Sequence, residues 1–499
     1  MVDVVPFNES SETLQNTEPT VAVNPSNPSQ LIVSAFGDPA ANPYFTSNNS
    51  NGLNWTNNFN YSHVDTSVGF APSGNAYASF MHSPGTGDFM NVASSTNPVG
   101  NVGNPTGTAF ANLGGNATVG PPRVPPPPSY DPDQPFVQVD HGSGTDRIFV
   151  AFNGAQPSPK TAAIHYSLDG GATWDATNGN NPIVIERGNP TGGQDAPSVR
   201  VAVPPVGLNV YAAFIRWDGA AANGNINGNI VVVRDDNLGR NNFTNLGVGG
   251  VGQTVLPADV VVPQAGGATL GNHQAKIRSS LSLAVDPTNP NKVYVAYDTV
   301  DATNTPHVNV AVSTNSGATW NTTMSVAAAS ALPSLAVADN GAAGLLYVAS
   351  KGGNYEQHFV QSLNNFTVVP AADDKILAQF ADAEPDANNP NKVGTFIIGD
   401  FQSLDSTGNK FYGAFSANND PKLADFPQGV YYDRMFTIGT DNLTGQLTQD
   451  ATLDAQFTSI DPFFFSAAAV PEPATIVLLG LGGLGCLLAR RRHGKRRGE

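Results

Sequence analysis

Short runs of alternating apolar and polar residues recur along most of the chain, and turn-forming residues separate them. Residues 20–36 and residues 282–297 carry the two clearest examples, each with an apolar run, an Asn-Pro or Asp-Pro turn and a second apolar run. Period-two alternation is typical of β-strands, and Asn, Asp, Pro and Ser are typical of turns. The pattern therefore predicts two copies of one β-hairpin.

Looser copies of this hairpin follow at intervals of a few tens of residues. They lie at residues 136–152, 198–214, 334–349 and 403–415, with a weaker copy at 68–80. Repeated hairpins at such intervals predict a radial or stacked array in which each unit packs only on its neighbours. The copies indicate about seven units, with an uncertainty of one.

A second repeated motif follows two of the predicted strands. It reads Ser-Leu-Asp-Gly-Gly-Ala-Thr-Trp at residues 167–174 and Ser-Thr-Asn-Ser-Gly-Ala-Thr-Trp at residues 313–320, with a degenerate copy at 48–55. An Asp or Asn at the third position accepts N–H groups of the turn, and the Gly adopts a conformation closed to other residues. The motif residues are Ser167, Asp169, Gly171, Thr173, Trp174, Ser313, Asn315, Gly317, Thr319 and Trp320.

The motif resembles the Asp-box, or BNR repeat, of sialidase-like β-propellers. The first copy matches that family pattern fully, and the second has Asn315 where the family has Asp. Together with the hairpins, the resemblance covers roughly residues 18–440. It implies an all-β, six- or seven-bladed sialidase-like propeller whose Asp-boxes lie at the blade periphery and report the fold.

The C-terminal residues have a different pattern from the rest of the chain. Pro471, Glu472 and Pro473 precede a run of 15 small and apolar residues, 475–489, and a cluster of basic residues follows. A basic cluster after an apolar segment is retained on the cytoplasmic side of a membrane. The order of these parts resembles the PEP-CTERM sorting signal, which implies processing by an exosortase near the Pro-Glu-Pro element; an ordinary tail anchor is the alternative.

These patterns divide the chain into three parts. Residues 18–465 are predicted to form the propeller, with a Pro/Gly-rich insertion at 98–135, and residues 470–499 to form the sorting signal with a short transmembrane helix at 475–489. Residues 1–17 form an N-terminal segment. This segment has neither a basic region nor a long apolar region, so it contains no recognisable signal peptide.

Composition and charge narrow the class of partner. The chain has 51 Gly, 39 Pro and only 13% charged residues, which favours strands and turns over helices. Its net charge is −17, and the last ten residues hold six Lys or Arg and one Glu, so the remainder carries −22. Such an acidic body repels phosphate backbones, which argues against nucleic acid as a partner.

The resemblance to sialidases also raises the question of catalysis. That family implies three arginines that clamp a substrate carboxylate, a tyrosine nucleophile and an acid/base aspartate. Arg200 and Arg278 lie within or just before copies of the inner strand, and Arg434 lies close to Tyr431. These four residues are the catalytic candidates; the alternative is that they form cross-strand ion pairs or blade-closure contacts.

Four carboxylates come shortly before prolines at the start of predicted hairpins. They are Glu18, Asp133, Asp195 and Glu384. If these hairpins begin with the innermost strands, the carboxylates gather at one mouth of the channel, where they could bind sugar hydroxyls or calcium, which prefers hard oxygen ligands. The alternative is that each caps its own turn. The eight histidines show no paired metal spacing, so no zinc site and no cofactor other than calcium is predicted.

The sequence therefore predicts an exported protein, anchored transiently in the membrane and then held at the cell surface or in the extracellular polysaccharide matrix. Its expected role is a binding module for carbohydrate or neighbouring surface proteins. An exo-α-sialidase or related glycoside hydrolase is the alternative from a different class, and a purely structural matrix protein is the third.

Overall fold

A computed structural model describes most of the chain. The described residues are 1–6, 9, 15–38, 42–48, 51–61, 64–82, 89–96, 111–112, 133–142, 144–154, 161–174, 182–189, 199–263, 267–270, 280–370, 373–381, 398–419, 423–438, 441–446 and 459–470. Within them the chain forms seven β-sheets. The sorting element at Pro471, Glu472 and Pro473 and the predicted helix 475–489 lie outside these residues.

The first six sheets are meanders in which consecutive strands pair antiparallel, from an inner strand to an outer one. Blade 1 contains β2 (Gln15–Val23), β3 (Leu31–Asp38), β4 (Asn42–Ser47) and β5 (Thr56–Tyr61). Blade 2 contains β6 (Val64–Phe70), β7 (Ala76–His82), β8 (Phe89–Ser95) and β9 (Ala111–Asn112). Blade 3 contains β10 (Asp133–Gly142), β11 (Thr145–Gly154), β12 (Thr161–Ser167) and β13 (Ile183–Val184).

Blades 4 to 6 repeat this arrangement. Blade 4 contains β14 (Arg200–Ala202), β15 (Val210–Ala220), β16 (Ile226–Asp235), β17 (Gln253–Thr254) and β18 (Val260–Val262), the last two both pairing with β16. Blade 5 contains β19 (Leu281–Asp286), β20 (Asn289–Val300), β21 (Pro306–Ser313) and β22 (Asn321–Ser325). Blade 6 contains β23 (Ser330–Val337), β24 (Ala343–Lys351), β25 (Asn354–Ser362) and β26 (Asp374–Ala381).

Blade 7 closes the ring with strands from both ends of the described chain. Its order is β27 (Ser403–Thr407), β28 (Lys410–Asn418), β31 (Ile460–Ala468), β1 (Val2–Asp3), β29 (Tyr431–Ile438) and β30 (Asp441–Gln446). Strand β1, from the predicted N-terminal segment, pairs antiparallel with β31 and parallel with β29. The inner strands contact one another in turn around the ring, and β27 contacts β2. The all-β propeller predicted from the sequence is confirmed, and it has seven blades.

Apolar clusters between neighbouring blades form the core. One cluster joins blade 7 to blade 1 through Val2, Val33, Trp55 and Phe464, all of them buried. A hydroxyl near the axis adds a polar link between neighbours, since Ser67, Ser282 and Ser334 each accept a backbone N–H from the next inner strand at 2.7–2.9 Å. Each blade is therefore held by apolar packing on its faces and by hydrogen bonds at its inner edge.

The meander gives the disc two different faces. Connections between first and second strands and between third and fourth strands lie on one side, here called the turn face. Connections between second and third strands and between blades lie on the opposite side, here called the loop face. Residues 113–132, 190–198, 271–279 and 382–397 fall within connections between blades, so the described ends of these connections lie on the loop face.

Candidate functional site

The inner strands of four blades begin with the same backbone irregularity on the loop face. A shift in strand register occurs at Thr17/Thr20, Val64/Thr66, Asp133/Phe136 and Ala331/Ser334. Within each shift one residue has positive φ, namely Glu18, Asp65, Gln134 or Leu332. Such bulges turn a side chain away from the regular pleat. In three of these blades the residue with positive φ is Glu18, Asp65 or Gln134. The side chains of these residues lie at the loop-face end of the propeller axis.

A segment of blade 7 crosses the axis at this level. The N–H of Asp400 donates to Glu18 Oε1 of blade 1 at 3.0 Å, and the hydroxyl of Ser280 of blade 5 donates to the Asp400 carbonyl at 3.1 Å. The Gln402 amide donates to the Leu332 carbonyl of blade 6 at 2.8 Å. These three bonds join residues 398–402 to blades 1, 5 and 6. We call residues 398–402 the axial segment.

Carboxylates and one amide surround this segment. Gln134 Nε2 of blade 3 donates to Asp400 Oδ2 at 3.3 Å, and Asp65 of blade 2 is hydrogen-bonded to Asp133 of blade 3. Glu18, Gln134 and Asp400 are buried, whereas Asp65 and Asp133 are half-buried. We call Glu18, Asp65, Asp133, Gln134 and Asp400 the axial acidic cluster; its two half-buried carboxyls are the ones that a ligand at the loop face would meet.

The position of Asp65 raises its pKa to about 7. Burial is the largest cause, followed by the negative charges of Asp133 and Asp400, while a backbone hydrogen bond from Gln134 opposes the shift. A carboxyl next to other carboxylates retains its proton because two like charges at short range are unfavourable. Asp65 is therefore about half protonated at neutral pH, and in its protonated form it can both donate and accept a hydrogen bond.

We expect Asp65→Asn to flatten the dependence of stability on pH between about 4 and 7. The folded protein holds a proton at Asp65 that an unfolded chain, with an Asp pKa of about 3.9, has released, so stability falls as pH rises through this window. The measurement is the urea midpoint of both proteins at several pH values. Burial also raises the pKa of Asp298 and raises that of Asp405 to about 6, so these two carboxyls contribute to the residual slope. An unchanged slope would contradict the assignment.

A channel of about 500 Å³ runs along the axis below the cluster and is lined by all seven inner strands. At one register position these strands carry Thr20, Ser67, Phe136, Arg200, Ser282, Ser334 and Ser403, paired with equivalent residues of the second strands. Five of the seven residues have a small hydroxyl. Blades 3 and 4 depart from this pattern with an aromatic ring and a guanidinium group.

Arg200 and Phe136 occupy the channel together. The Arg200 guanidinium lies 3.2 Å from the centre of the Phe136 ring, and that ring contacts Phe401 of the axial segment edge-on at 5.0 Å. Burial lowers the pKa of Arg200 to about 9. Its Nη1 group donates to the Val199 carbonyl at 3.2 Å. Arg200 therefore remains a cation at neutral pH and lies directly beneath the axial segment.

Of the other catalytic candidates, the structure places the side chain of Tyr431 alone, and it places it away from Arg200. Tyr431 and the backbone of Arg434 lie on β29, which is outside β1 in the outer half of blade 7. Tyr431 packs against the cluster between blades 7 and 1. The side chain of Arg434 and all of Arg278 lie outside the described part of the chain. The predicted carboxylates Glu18 and Asp133 belong to the axial acidic cluster, whereas Asp195 and Glu384 lie outside the described residues.

Sequence reasoning missed Asp65, Gln134 and Asp400, which complete this cluster. Asp65 has no proline after it, and Asp400 follows Gly399 in a segment without the hairpin pattern. An alignment of the inner strands would have identified Asp65. Asp65 lies two residues before Ser67, just as Glu18 lies two residues before Thr20. Within the described ranges, no group of three or more His, Cys, Asp or Glu side chains is arranged to hold a metal ion.

The repeated motif forms a tight turn between the third and fourth strands, on the turn face. The Ser167 hydroxyl accepts the Gly171 N–H at 2.8 Å, and Asp169 Oδ1 accepts the Thr173 N–H at 2.8 Å. In the second copy the Ser313 hydroxyl accepts the Gly317 N–H at 2.9 Å, and Asn315 accepts the Thr319 N–H at 2.9 Å. The two copies therefore share one hydrogen-bond pattern.

Two further blades contain the same turn, which the sequence pattern did not reveal. In blade 6 the Ser362 hydroxyl accepts the Phe366 N–H at 2.7 Å, with Phe366 where the other copies have glycine. In blade 4 the Asp235 carboxylate replaces the serine and accepts the N–H groups of Asn237 and Gly239 at 2.7 and 3.0 Å. The geometry is retained although the residue types differ.

Asp169→Ala is expected to destabilise the propeller by about 1–2 kcal/mol, because the carboxylate accepts hydrogen bonds from Thr173 and Ser167. Although burial raises the pKa of Asp169, these hydrogen bonds lower it overall, so the group is ionised at neutral pH. Asp169→Asn is the matched variant, since Asn315 makes the same backbone contact in blade 5. The free energy of unfolding in urea should be clearly lower for Asp169→Ala than for Asp169→Asn. Equal losses would show that the hydrogen bonds of this side chain do not stabilise the turn.

Comparison with known proteins adds information mainly on the C-terminal part. Residues 469–492 match the PEP-CTERM protein-sorting motif, which implies an exosortase-sorted extracellular protein with transient membrane anchoring through this region. Among the described residues, no helix is long and apolar enough to cross a membrane. No curated protein matches the chain.

Several solved structures are similar to the propeller at low identity. An α-L-arabinofuranosidase from Fusarium graminearum is 9% identical, with 70% of this chain and 94% of that one covered and a TM-score of 0.42. A family PL25 ulvan lyase is 11% identical, with 82% and 92% covered and a TM-score of 0.45. The Aleuria aurantia lectin is 10% identical, with 71% and 88% covered and a TM-score of 0.37.

Proposed function

We propose that this extracellular propeller is a carbohydrate-binding module whose ligand binds at the loop-face end of the axis. The observation that carries the proposal is the convergence of Asp65 and Asp133, both half-buried, over the buried groups Glu18, Gln134 and Asp400. Carboxyl groups held in fixed positions accept hydrogen bonds from sugar hydroxyls, and a protonated carboxyl also donates one. The cluster therefore suits a polyhydroxylated ligand.

The charge of the protein restricts the ligand further. Because residues 1–489 carry a net charge of −22 and the cluster is acidic, the ligand is a neutral or cationic glycan. We propose the extracellular polysaccharide matrix as the source of this glycan. Neighbouring surface proteins that present the same hydroxyl groups through attached glycans are a second source of that chemistry.

The experiment is a glycan-array screen of the full chain in mild detergent, followed by affinity measurements on the selected glycan. Asp65→Asn and Asp133→Asn are expected to weaken binding about 10-fold or more, because each removes a charged or proton-sharing partner. Asp301→Asn is the matched control, since Asp301 is an exposed carboxylate on the loop face of blade 5, away from the axis. Equal loss in all three variants would reject the axial site.

Glycoside hydrolysis is the second candidate, favoured by one observation. Asp65, with its pKa raised to about 7, is hydrogen-bonded to another carboxyl, and glycosidases use a pair of carboxyl groups in which one is held protonated. The sialidase alternative further requires an arginine clamp, for which Arg200 is the candidate that lines the channel. Turnover of a fluorogenic glycoside by the full chain, abolished in Asp65→Asn, would establish the enzyme.

We infer further that the four related turns in blades 3 to 6 are Asp-boxes of the BNR type. Support comes from the shared hydrogen bond between the first side chain of the motif and the N–H four residues later, present at Ser167, Asp235, Ser313 and Ser362. Their position on the turn face, away from the axial acidic cluster, makes them structural elements of the blades.

A further inference from the structure

Exposed apolar side chains have an uneven distribution over the disc. Among the described residues the large hydrophobic side chains that are exposed are Leu53, Val206, Leu208, Val248 and Val368. All five lie in connections between first and second or third and fourth strands, and so on the turn face. Scattered single apolar residues are normal on a surface, but their confinement to one face of a disc is a pattern that requires a cause.

Blade 4 contributes three of these residues. Val206, Leu208 and Val248 are 57%, 50% and 95% exposed, and they come from two connections of the same blade. A backbone hydrogen bond of 2.9 Å from Leu238 to Leu208 joins these connections. Blade 4 therefore presents three exposed apolar side chains from two connected loops on the turn face.

The chain leaves the propeller on this same face. Strand β31 ends at Ala468, and Ala469 donates its N–H to the carbonyl of Asn409, in the first turn of blade 7, at 2.9 Å. Asn340, in the first turn of blade 6, donates to the Val470 carbonyl at 2.9 Å, and Val470 donates to Gln361 at 2.9 Å. These bonds fix the exit point of the sorting tail at the turn face.

The distance from this exit to the apolar run of the tail is short. Residues 471–474 separate Val470 from the run at 475–489, so even a fully extended connection spans on the order of 18 Å. The polar headgroup layer of one leaflet is about 5–7 Å thick. While the run is inserted, the tail exit on the turn face therefore stays within reach of the headgroups, which favours an orientation with the loop face pointing away from the membrane.

We propose that the turn face is a membrane-contact surface. Val206, Leu208 and Val248 of blade 4 contact the headgroup and upper acyl region of a phospholipid bilayer while the tail anchors the opposite side of the disc. The exposed apolar side chains of blade 4 suit lipid, and the net charge of −22 outside the basic tail favours a zwitterionic surface over an anionic one. The proposal rests on the sorting motif and is independent of what the axial acidic cluster binds.

An environment-sensitive fluorophore at single cysteines tests this orientation. Cys486 is the sole natural cysteine, so Cys486→Ser provides a background for Leu208→Cys, Val248→Cys and the control Ala222→Cys. Ala222 is exposed and belongs to the same blade but to its loop-face connection. The labelled full chains are reconstituted in phosphatidylcholine vesicles that carry a lipid-attached quencher, and only protein that floats with the vesicles is measured.

The proposal predicts a blue shift and quenching of the label at positions 208 and 248, and little of either at 222. No response at 208 and 248 in floating protein, or an equal response at 222, would overturn it. A blue shift at 208 in lipid-free detergent that grows with protein concentration would instead indicate contact with a second copy of the chain and would also overturn it. Glycan binding is measured on the same vesicles. Retained glycan binding together with no response at 208 and 248 would reject membrane contact and leave the proposed function intact.

Discussion

Phe464→Ala is expected to destabilise the propeller by about 3–5 kcal/mol, the usual cost of a large cavity in a packed core. Phe464 is fully buried in β31, opposite Val2 of the N-terminal strand. Its ring contacts Trp55 of blade 1 edge-on at 5.3 Å and lies 6.4 Å from the Tyr412 ring. The substitution therefore removes packing where β1 and β31, from the two ends of the described part of the chain, close the ring.

Urea unfolding followed by far-ultraviolet circular dichroism measures this effect. Leu208→Ala is the matched control, because Leu208 is 50% exposed and its truncation should change stability by about 0.5 kcal/mol or less. A loss at Phe464 no greater than the loss at Leu208 would contradict the assignment of blade 7 as the closure of the ring.

Arg216→Met is expected to cost about 3–5 kcal/mol, because it leaves a buried carboxylate without its cation. Glu186 is 2% exposed, and Arg216 binds both of its oxygens through Nε and Nη2 at 2.9–3.1 Å. The N–H groups of Gly188 and Asn189 also donate to this carboxylate, so it remains in place after the substitution.

Two comparisons isolate the charge effect. Adding Glu186→Gln to Arg216→Met removes the uncompensated charge and should restore part of the stability. Arg234→Met tests a more exposed pair, with Asp236 side-chain exposure of 37%, and should cost about 1 kcal/mol or less. Equal losses for Arg216→Met and Arg234→Met would show that burial of Glu186 does not determine the effect.

Local sequence patterns were sufficient to predict the blades. The hairpins at residues 20–36 and 282–297 place their apolar positions and turns within about sixteen residues, so neighbouring side chains determine the structure. The turns at Asp235 and Phe366 were missed because their hydrogen bonds depend on backbone geometry, which tolerates a carboxylate in place of serine and a phenylalanine in place of glycine.

The axial site depends on contacts that the sequence does not encode locally. Asp65 and Asp400 are far apart in the chain and meet only because seven inner strands surround one axis. Glu18 and Asp133 were predicted at this position because each comes shortly before a proline at the start of a hairpin. Arg200 was predicted as a candidate catalytic residue because a sialidase-like site requires arginines. The strand register shows in addition that Arg200 occupies a position at which most of the inner strands carry a hydroxyl residue.

Hydrogen–deuterium exchange with and without the selected glycan tests the claim that a carbohydrate binds at the loop-face end of the axis. Binding at the axial acidic cluster should slow exchange in β2, in β10 and in residues 398–402, which contain Glu18, Gln134 and Asp400. Slower exchange confined to the turn-face connections, with these three regions unchanged, would contradict the claim.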